Sequence, residues 1–261
     1  AFSLLRTFSK RYKETPFVEQ SYFWLGKIYE TENKLDSALV MYQTLQKNYP
    51  QTLLLPKLYL AFGNIYFAKE NYDEAVKYYR LIVDKPNFTS EVLPFAMSNL
   101  IQAYNQVNLY DGALELTRTF IERFPNDETI PEKKIGLGIL YQKLSYYDQA
   151  IAQLQSLLET TNPNLEAEIR YYLGETYFYK GEFQQAVLEF LKVPYLITQK
   201  TKLDWTPNAY YMAGQSYEKL GKYEQALNMY QQIIAKPGID PTFKSAAEKE
   251  INRVKNAVST K

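Results

Sequence analysis

Residues 59–82 read YLAFGNIYFAKENYDEAVKYYRLI. Tyr59, Phe62, Gly63 and Tyr66 fall at i, i+3, i+4 and i+7, which is one face of an α-helix. After Ala75 come Tyr79 and Ile82, at i+4 and i+7, and they mark the apolar face of a second helix. The stretch is a helical hairpin, and its frame returns along the whole chain. A small residue is followed three later by Tyr and twelve later by Ala. The small residues are Gly26, Gly63, Gly138, Gly174 and Gly214, with Ile101 as the exception. The tyrosines are Tyr29, Tyr66, Tyr104, Tyr141, Tyr177 and Tyr217, and the alanines are Ala38, Ala75, Ala113, Ala150, Ala186 and Ala226. Successive alanines are 37, 38, 37, 36 and 40 residues apart. Fixed spacing inside the repeat and variable spacing between repeats is the pattern of a stacked supersecondary module. The hairpin must keep its geometry, while the connection between hairpins can stretch.

The hairpin turn carries Asn33, Asn108, Gly181 and Gly221 in four of the repeats. Gly and Asn accept the left-handed conformation that ends a helix. An aromatic residue and usually an acid then open the second helix, as in Tyr72-Asp73, Tyr110-Asp111, Tyr147-Asp148 and Tyr223-Glu224. The acid suits the positive end of the helix dipole. All 12 prolines lie between the second helix of one repeat and the first turn of the next. Pro131 and Pro207 suit the first turn of a helix, where the missing N–H is harmless.

These residues resemble the tetratricopeptide repeat, a helix pair with a Trp/Tyr, Leu, Gly/Ala, Tyr, Ala, aromatic, Ala/Leu, Pro signature. The resemblance implies an all-α, right-handed α-solenoid of stacked antiparallel helix pairs. Six repeats are expected, at about 16–52, 53–88, 89–127, 128–163, 164–204 and 205–240. Residues 1–15 match the second helix of a preceding repeat, so further repeats are expected upstream. Pro241 opens a closing helix over 241–261, with Phe243, Ala247, Ile251, Val254 and Val258 as its apolar stripe. The repeat periods, longer than the family's usual 34, are similar to those of bacterial envelope proteins. That likeness points to the periplasm or envelope, with the cytoplasm as the alternative.

Composition removes most chemistry. The chain of 261 residues has no Cys and no His. Disulfides, thiolate nucleophiles, imidazole bases and nearly all zinc sites go with them. A net charge of +1 gives no basic face for nucleic acid. No apolar run approaches the roughly 18 residues of a membrane span. Gly136-Leu137-Gly138 begins a dinucleotide pattern, but Tyr141 stands where its last Gly belongs. Gly26-Lys27 lacks the rest of a phosphate-binding loop. No calcium loop is present. The expectation is no catalytic, metal or cofactor site.

What remains is binding. The 25 Tyr and 14 Phe exceed what the core columns take, and large aromatics are favoured at interaction surfaces. In the family the resemblance points to, the first helices line a concave groove. Its stripe falls three before, one after and four after the glycine column. Some members use such a stripe to hold a chaperone's terminal carboxylate with Lys and Asn. Here Asn64 and Asn99 match the Asn positions, but Leu60, Glu132 and Gly136 stand where cations belong, so that ligand is disfavoured. The stripe is most aromatic in the fifth and sixth repeats, at Tyr171, Glu175, Phe178, Tyr211, Gln215 and Glu218. Asn64 and Phe67 extend it in the second. Flat apolar surface with acceptors suits a protein or peptide segment carrying apolar anchors and Lys or Arg. The expected function is a non-catalytic protein–protein interaction scaffold or adaptor. The alternative is a structural, self-assembling spacer, and a carboxylate-based enzyme is the least favoured.

Overall fold

The computed structural model describes residues 17–85, 91–159, 163–197 and 203–259. They form 13 α-helices and one short 3₁₀ helix, and no strand occurs among the described residues. The chain divides into two compact halves, residues 1–125 and 126–261. The N-terminal half holds α1 (Val18–Thr31), α2 (Leu35–Asn48), α3 (Leu55–Ala68), α4 (Tyr72–Val83), α5 (Leu93–Gln106) and α6 (Tyr110–Arg123). The C-terminal half holds α7 (Ile130–Lys143), α8 (Tyr147–Leu158), α9 (Pro163–Lys180), α10 (Phe183–Phe190), a 3₁₀ turn (Val193–Leu196), α11 (Thr206–Lys219), α12 (Tyr223–Ala235) and α13 (Pro241–Ser259). Inside each half the helices pack in chain order, first helix on second, then second on the next first. Twelve of these helices follow one another as six successive pairs, and α13 comes after the last. The expected half-repeat over 1–15 lies outside the described residues.

One joint makes every hairpin. The residue seven after the glycine column has positive φ in all six repeats: Asn33, Glu70, Asn108, Ser145, Gly181 and Gly221. The next residue then bonds both ways. Its N–H donates back to the carbonyl of the column tyrosine, as Lys34 to Tyr29 at 2.8 Å, Asn71 to Tyr66 at 2.9 Å and Lys222 to Tyr217 at 2.9 Å. Its own carbonyl accepts from the column alanine, as from Ala38 at 3.0 Å, Ala75 at 3.1 Å and Ala226 at 3.1 Å. Leu109, Tyr146 and Glu182 do the same. The left-handed residue thus ends the first helix, and its successor is at once the last link of that helix and the cap of the second. No residue can be added to this turn without breaking one of the two bonds, which accounts for the constant interval of twelve.

Closure of the hairpin depends on a second contact. A Cβ on Gly214 would lie 2.6 Å from the Tyr230 ring, one on Gly138 2.7 Å from Leu154, and one on Gly174 2.8 Å from Phe190. Gly26 and Gly63 sit closer still to Tyr42 and Tyr79. The residue sixteen after the small one therefore presses on bare backbone. Tyr42, Tyr79, Leu154, Phe190 and Tyr230 are all fully buried or nearly so. In the third repeat the same two positions hold Ile101 and Thr117, both buried, and the Thr117 hydroxyl donates to the Ala113 carbonyl at 2.7 Å. The larger first-helix side chain is matched by the smaller second-helix one.

Prolines follow the expected phase. Pro56, Pro94, Pro131 and Pro207 stand at the first positions of α3, α5, α7 and α11. Acids occupy the first turn of α2, α4, α6, α8 and α12. The 40-residue spacing between Ala186 and Ala226 is explained by α10, which stops after 8 residues and passes into the 3₁₀ turn.

Two outcomes test the joint and the contact. Glu70 and Ser145 hold a left-handed position with a side chain that disfavours it. Glu70→Gly and Ser145→Gly should each raise stability by about 0.5–1 kcal/mol in urea unfolding. Gly181→Ala and Gly221→Ala should lower it by about 1 kcal/mol. Thr117→Tyr should overpack the third repeat at a cost of about 1–3 kcal/mol. Ile101→Gly should recover part of that cost, and strictly additive effects in the double-mutant cycle would contradict the exchange of volume.

Candidate functional site

The first-helix stripe is stitched from one repeat to the next. In the C-terminal half the residue four after the glycine column meets the residue one after it in the following repeat. The Gln142 amide lies in hydrogen-bonding reach of Glu175. It also donates to Thr176 Oγ1 at 3.2 Å. Further along, Arg253 Nη2 donates to both Glu218 oxygens, at 2.6 and 2.8 Å. That pair shows what α13 is. Its buried residues Ala247, Ile251 and Val254 repeat the spacing of Ala209, Ala213 and Ser216 in α11. The closing helix occupies the place of a first helix, with Arg253 in the stripe column.

The stripe also serves the core. The buried Tyr42 hydroxyl donates to Glu30, Tyr79 donates to Asn64 Oδ1 at 2.9 Å, and Tyr230 donates to Glu218 Oε1 at 2.7 Å. Burial pushes all three hydroxyls well above the ordinary tyrosine value, and for Tyr42 and Tyr230 the neighbouring carboxylate adds to it. The ring fills the gap over the glycine while the hydroxyl reaches through to a stripe residue. No buried side-chain nitrogen or oxygen lacks a partner among the described residues.

The eight expected site residues fall in different places. Asn64 Oδ1 accepts from Tyr79 and also from Asn99 Nδ2 at 2.8 Å. With Phe67, Tyr79, Asn99 and Gln102 it lines a cavity of about 160 Å³ in the N-terminal half. Tyr171 belongs to the core: it is 8% exposed and stacks on Trp205 with centroids 4.9 Å apart. Its hydroxyl reaches Glu175 Oε1 at 3.5 Å. Tyr211 lies against Tyr230 at 5.7 Å and donates to Glu250 of α13 at 3.3 Å. It is half-buried, partly under the closing helix. Phe178, Gln215 and Glu218 come together. They line a cleft of about 570 Å³ with Lys219, Tyr223 and Arg253. Phe178 meets Phe183 edge-on at 5.4 Å.

Reading the stripe repeat by repeat missed Arg253, because α13 looked like a polar-covered cap. Its signal was spacing: it stands 35 residues after Glu218, close to one repeat period. Arg253 also donates from Nε to Glu250 Oε2 at 2.6 Å, so two carboxylates hold it and raise its pKa further. Among the described residues no carboxylate cluster is arranged to hold a metal ion, and no helix is long and apolar enough to cross a membrane.

Sequence profiles of the tetratricopeptide repeat match residues 20–52, 56–84, 135–194 and 208–238. The chain belongs to the tetratricopeptide repeat family. The matched segments leave out the repeat carrying Ile101 and Thr117, where the glycine contact is replaced. No curated protein matches the sequence. Among solved structures, a tetratricopeptide repeat protein from Parabacteroides merdae is 16% identical over 95% of this chain and 90% of its own, with a TM-score of 0.59. PilW, a widely conserved type IV pilus biogenesis factor, is 15% identical over 89% of this chain and 99% of its own, at 0.60. YrrB, a repeat protein with an unusual peptide-binding site, is 18% identical over 88% of this chain and all of its own, at 0.58. These likenesses establish the fold. A tetratricopeptide repeat stack is in general a protein-interaction scaffold.

One stripe residue gives a pH test of this face. Glu175 is half-buried, and burial holds its carboxyl above the ordinary 4.5, against the opposing pull of Gln142, Lys143 and Tyr171. A raised folded value means that stability is highest while the group is protonated in both states. Stability then falls as pH rises from 4.5 through the folded value. Glu175→Gln keeps an acceptor and removes the charge. It should be more stable than the parent at pH 7, with the advantage fading on acidification below that window, as followed by thermal melts.

Proposed function

We propose that this tetratricopeptide repeat protein is a non-catalytic adaptor that binds segments of partner proteins on the first-helix face, above all at the cleft of the C-terminal half. The observation that carries the reading is the gathering of Phe178, Gln215 and Glu218 with Lys219, Tyr223 and Arg253 around about 570 Å³. That volume lies in the roughly 300–1,000 Å³ range of sites that bury a ligand group, and it combines aromatic walls with a few polar ones. Its one lining carboxylate supports binding rather than catalysis. Glu218, the carboxylate that lines the cleft, is held by Tyr230 and Arg253. The peptide-binding site named for YrrB is a parallel on the same fold. Two stripe residues recede from contact in this reading: Tyr171 supports the cleft from the core, and Tyr211 supports α13. Asn64 and Phe67, in the N-terminal half, provide a second and smaller point of contact.

Photo-crosslinking tests the face. Benzoylphenylalanine placed at Gln215 and Gln102, on first helices, should capture the same partner chain in cells of the source organism. The same probe at Glu115 and Gln231, exposed on second helices, should not. Phe178→Ala should weaken capture at Gln215, by the loss of about 2 kcal/mol that a hot-spot aromatic carries. Capture from Glu115 and Gln231 with silent first helices would refute the reading.

A further inference from the structure

The six first helices are fixed by the same two devices, the left-handed joint and the buried small residue, and α13 shows neither among the described residues. Its buried residues Ala247, Ile251 and Val254 match Ala209, Ala213 and Ser216 of α11, so Asn252 stands where α11 has Gly214. That position is buried in all six first helices, whereas Asn252 is exposed. An apolar seam and two polar clasps join α13 to the sixth repeat. The seam sets its three buried residues, with Phe243 half-buried, on Ala226, Tyr230 and Ile233 of α12. The clasps reach α11: Arg253 Nη2 binds Glu218 at 2.6 Å, and the Tyr211 hydroxyl donates to Glu250 Oε1 at 3.3 Å. Three of the 19 residues of α13 are buried against six of the 14 in α11, so local opening of α13 costs less. Yet α13 lies where a partner would. Arg253, Val254 and Ala257 form one wall of the cleft, opposite Phe178, Gln215 and Tyr223.

The surface of the sixth repeat thus carries a bound amphipathic helix, and that helix states what the surface takes. It presents apolar residues at i, i+4 and i+7 (Ala247, Ile251, Val254), an acid at i+3 for the tyrosine and an Arg at i+6 for the carboxylate. We propose that α13 is an exchangeable occupant of this surface: it withdraws as a unit from α11 and α12, and a helix of a partner protein with the same pattern takes its place. The inference rests on the first-helix face being the binding surface. It adds the form of the partner segment, a helix, and names its competitor within the chain. The exchange preserves the balance of charge, because the entering helix brings both the acid and the Arg that α13 takes away. Tyr211, Gln215 and Glu218 then meet the partner directly. Anchors at this spacing are how a helix is read in a groove. While α13 is seated, the apparent affinity for a partner is lowered by the fraction of time the surface is free.

Hydrogen exchange on the full chain tests the withdrawal. Amides of Ile251 and Val254 should exchange about tenfold faster than those of Tyr230 and Ile233, through local opening. Fluorescence anisotropy tests the replacement, with the full chain and a blocked, fluorescein-labelled peptide of residues 241–259. Arg253→Glu in the chain sets a third carboxylate against Glu218 and Glu250, so that variant should bind the peptide about tenfold more tightly than the parent does. Arg253→Gln, which removes the clasp without adding charge, should give a smaller gain. A peptide carrying the Arg253→Glu change should bind about fivefold more weakly. Glu218→Arg in the chain should reverse the preference between the two peptides, which would place the peptide on α11. Unchanged protection in α7 to α10 checks that the variants keep their fold. Equal protection of α13 and α12 in the parent, no peptide binding to any variant, or a preference that Glu218→Arg leaves unchanged would each overturn the proposal. The broader reading is judged separately: crosslinks from Gln215 that persist beside such a result would leave the first-helix face as the binding surface and remove only the exchange of helices.

Discussion

A single residue in each hairpin holds this architecture together. The residue after the left-handed position closes the first helix with its N–H and starts the second with its carbonyl. Both are strong backbone groups that would be orphaned at helix ends. Because one residue serves both, the two helices have a set angle and offset before any side chain is considered. In five of the six repeats the glycine column and the ring or leucine sixteen residues later then meet, and the backbone approach is closer than a Cβ permits. The variation between repeats is confined to places that the joint does not touch. The second helix can be shortened, as α10 is, and the connection after it can lengthen.

The same contact shapes the outer face. A tyrosine laid across glycine projects its hydroxyl beyond the hairpin, and that hydroxyl must be satisfied. Glu30, Asn64 and Glu218 satisfy it from the stripe. Side chains that look available for a partner are therefore partly committed to the core. Where the packed residue is Phe190 or Leu154 there is no hydroxyl to reach out, and stripe residues turn to one another instead, as Gln142 does to Glu175 and Thr176. How the stripe residues of these repeats are held follows from whether the packed residue is Tyr or an apolar one.

Much of this was legible in the residues. The period, the hairpin and its turn could be read because each depends on groups within about twenty residues, and local hydrogen bonding and 3.6-residue periodicity leave a mark at that range. Two of the six left-handed positions were hidden, since Glu70 and Ser145 are not residues that favour it. The geometry there is imposed by the two bonds of the joint and not by the side chain. The candidate site was legible in its columns but not in its exposure. Tyr171 and Phe178 stand seven residues apart on one stripe, yet Trp205, brought in by the connection after α10, stacks on Tyr171 while Phe178 lines the cleft.

The sequence by itself determined the all-α hairpin repeat and the phase of its glycine, tyrosine and alanine columns. Each is written in spacings short enough to be enforced by backbone geometry. Only the tertiary structure decided which side chains on the first helices are buried and which are paired. Arg253 and Glu218 meet across one repeat interval, and Lys180 draws on both Asp148 and Glu182. Pairings of that kind depend on side-chain reach between neighbouring helices, which spacing along the chain constrains but does not choose. Which carboxylates share a cation could not be read until neighbouring helices were packed together.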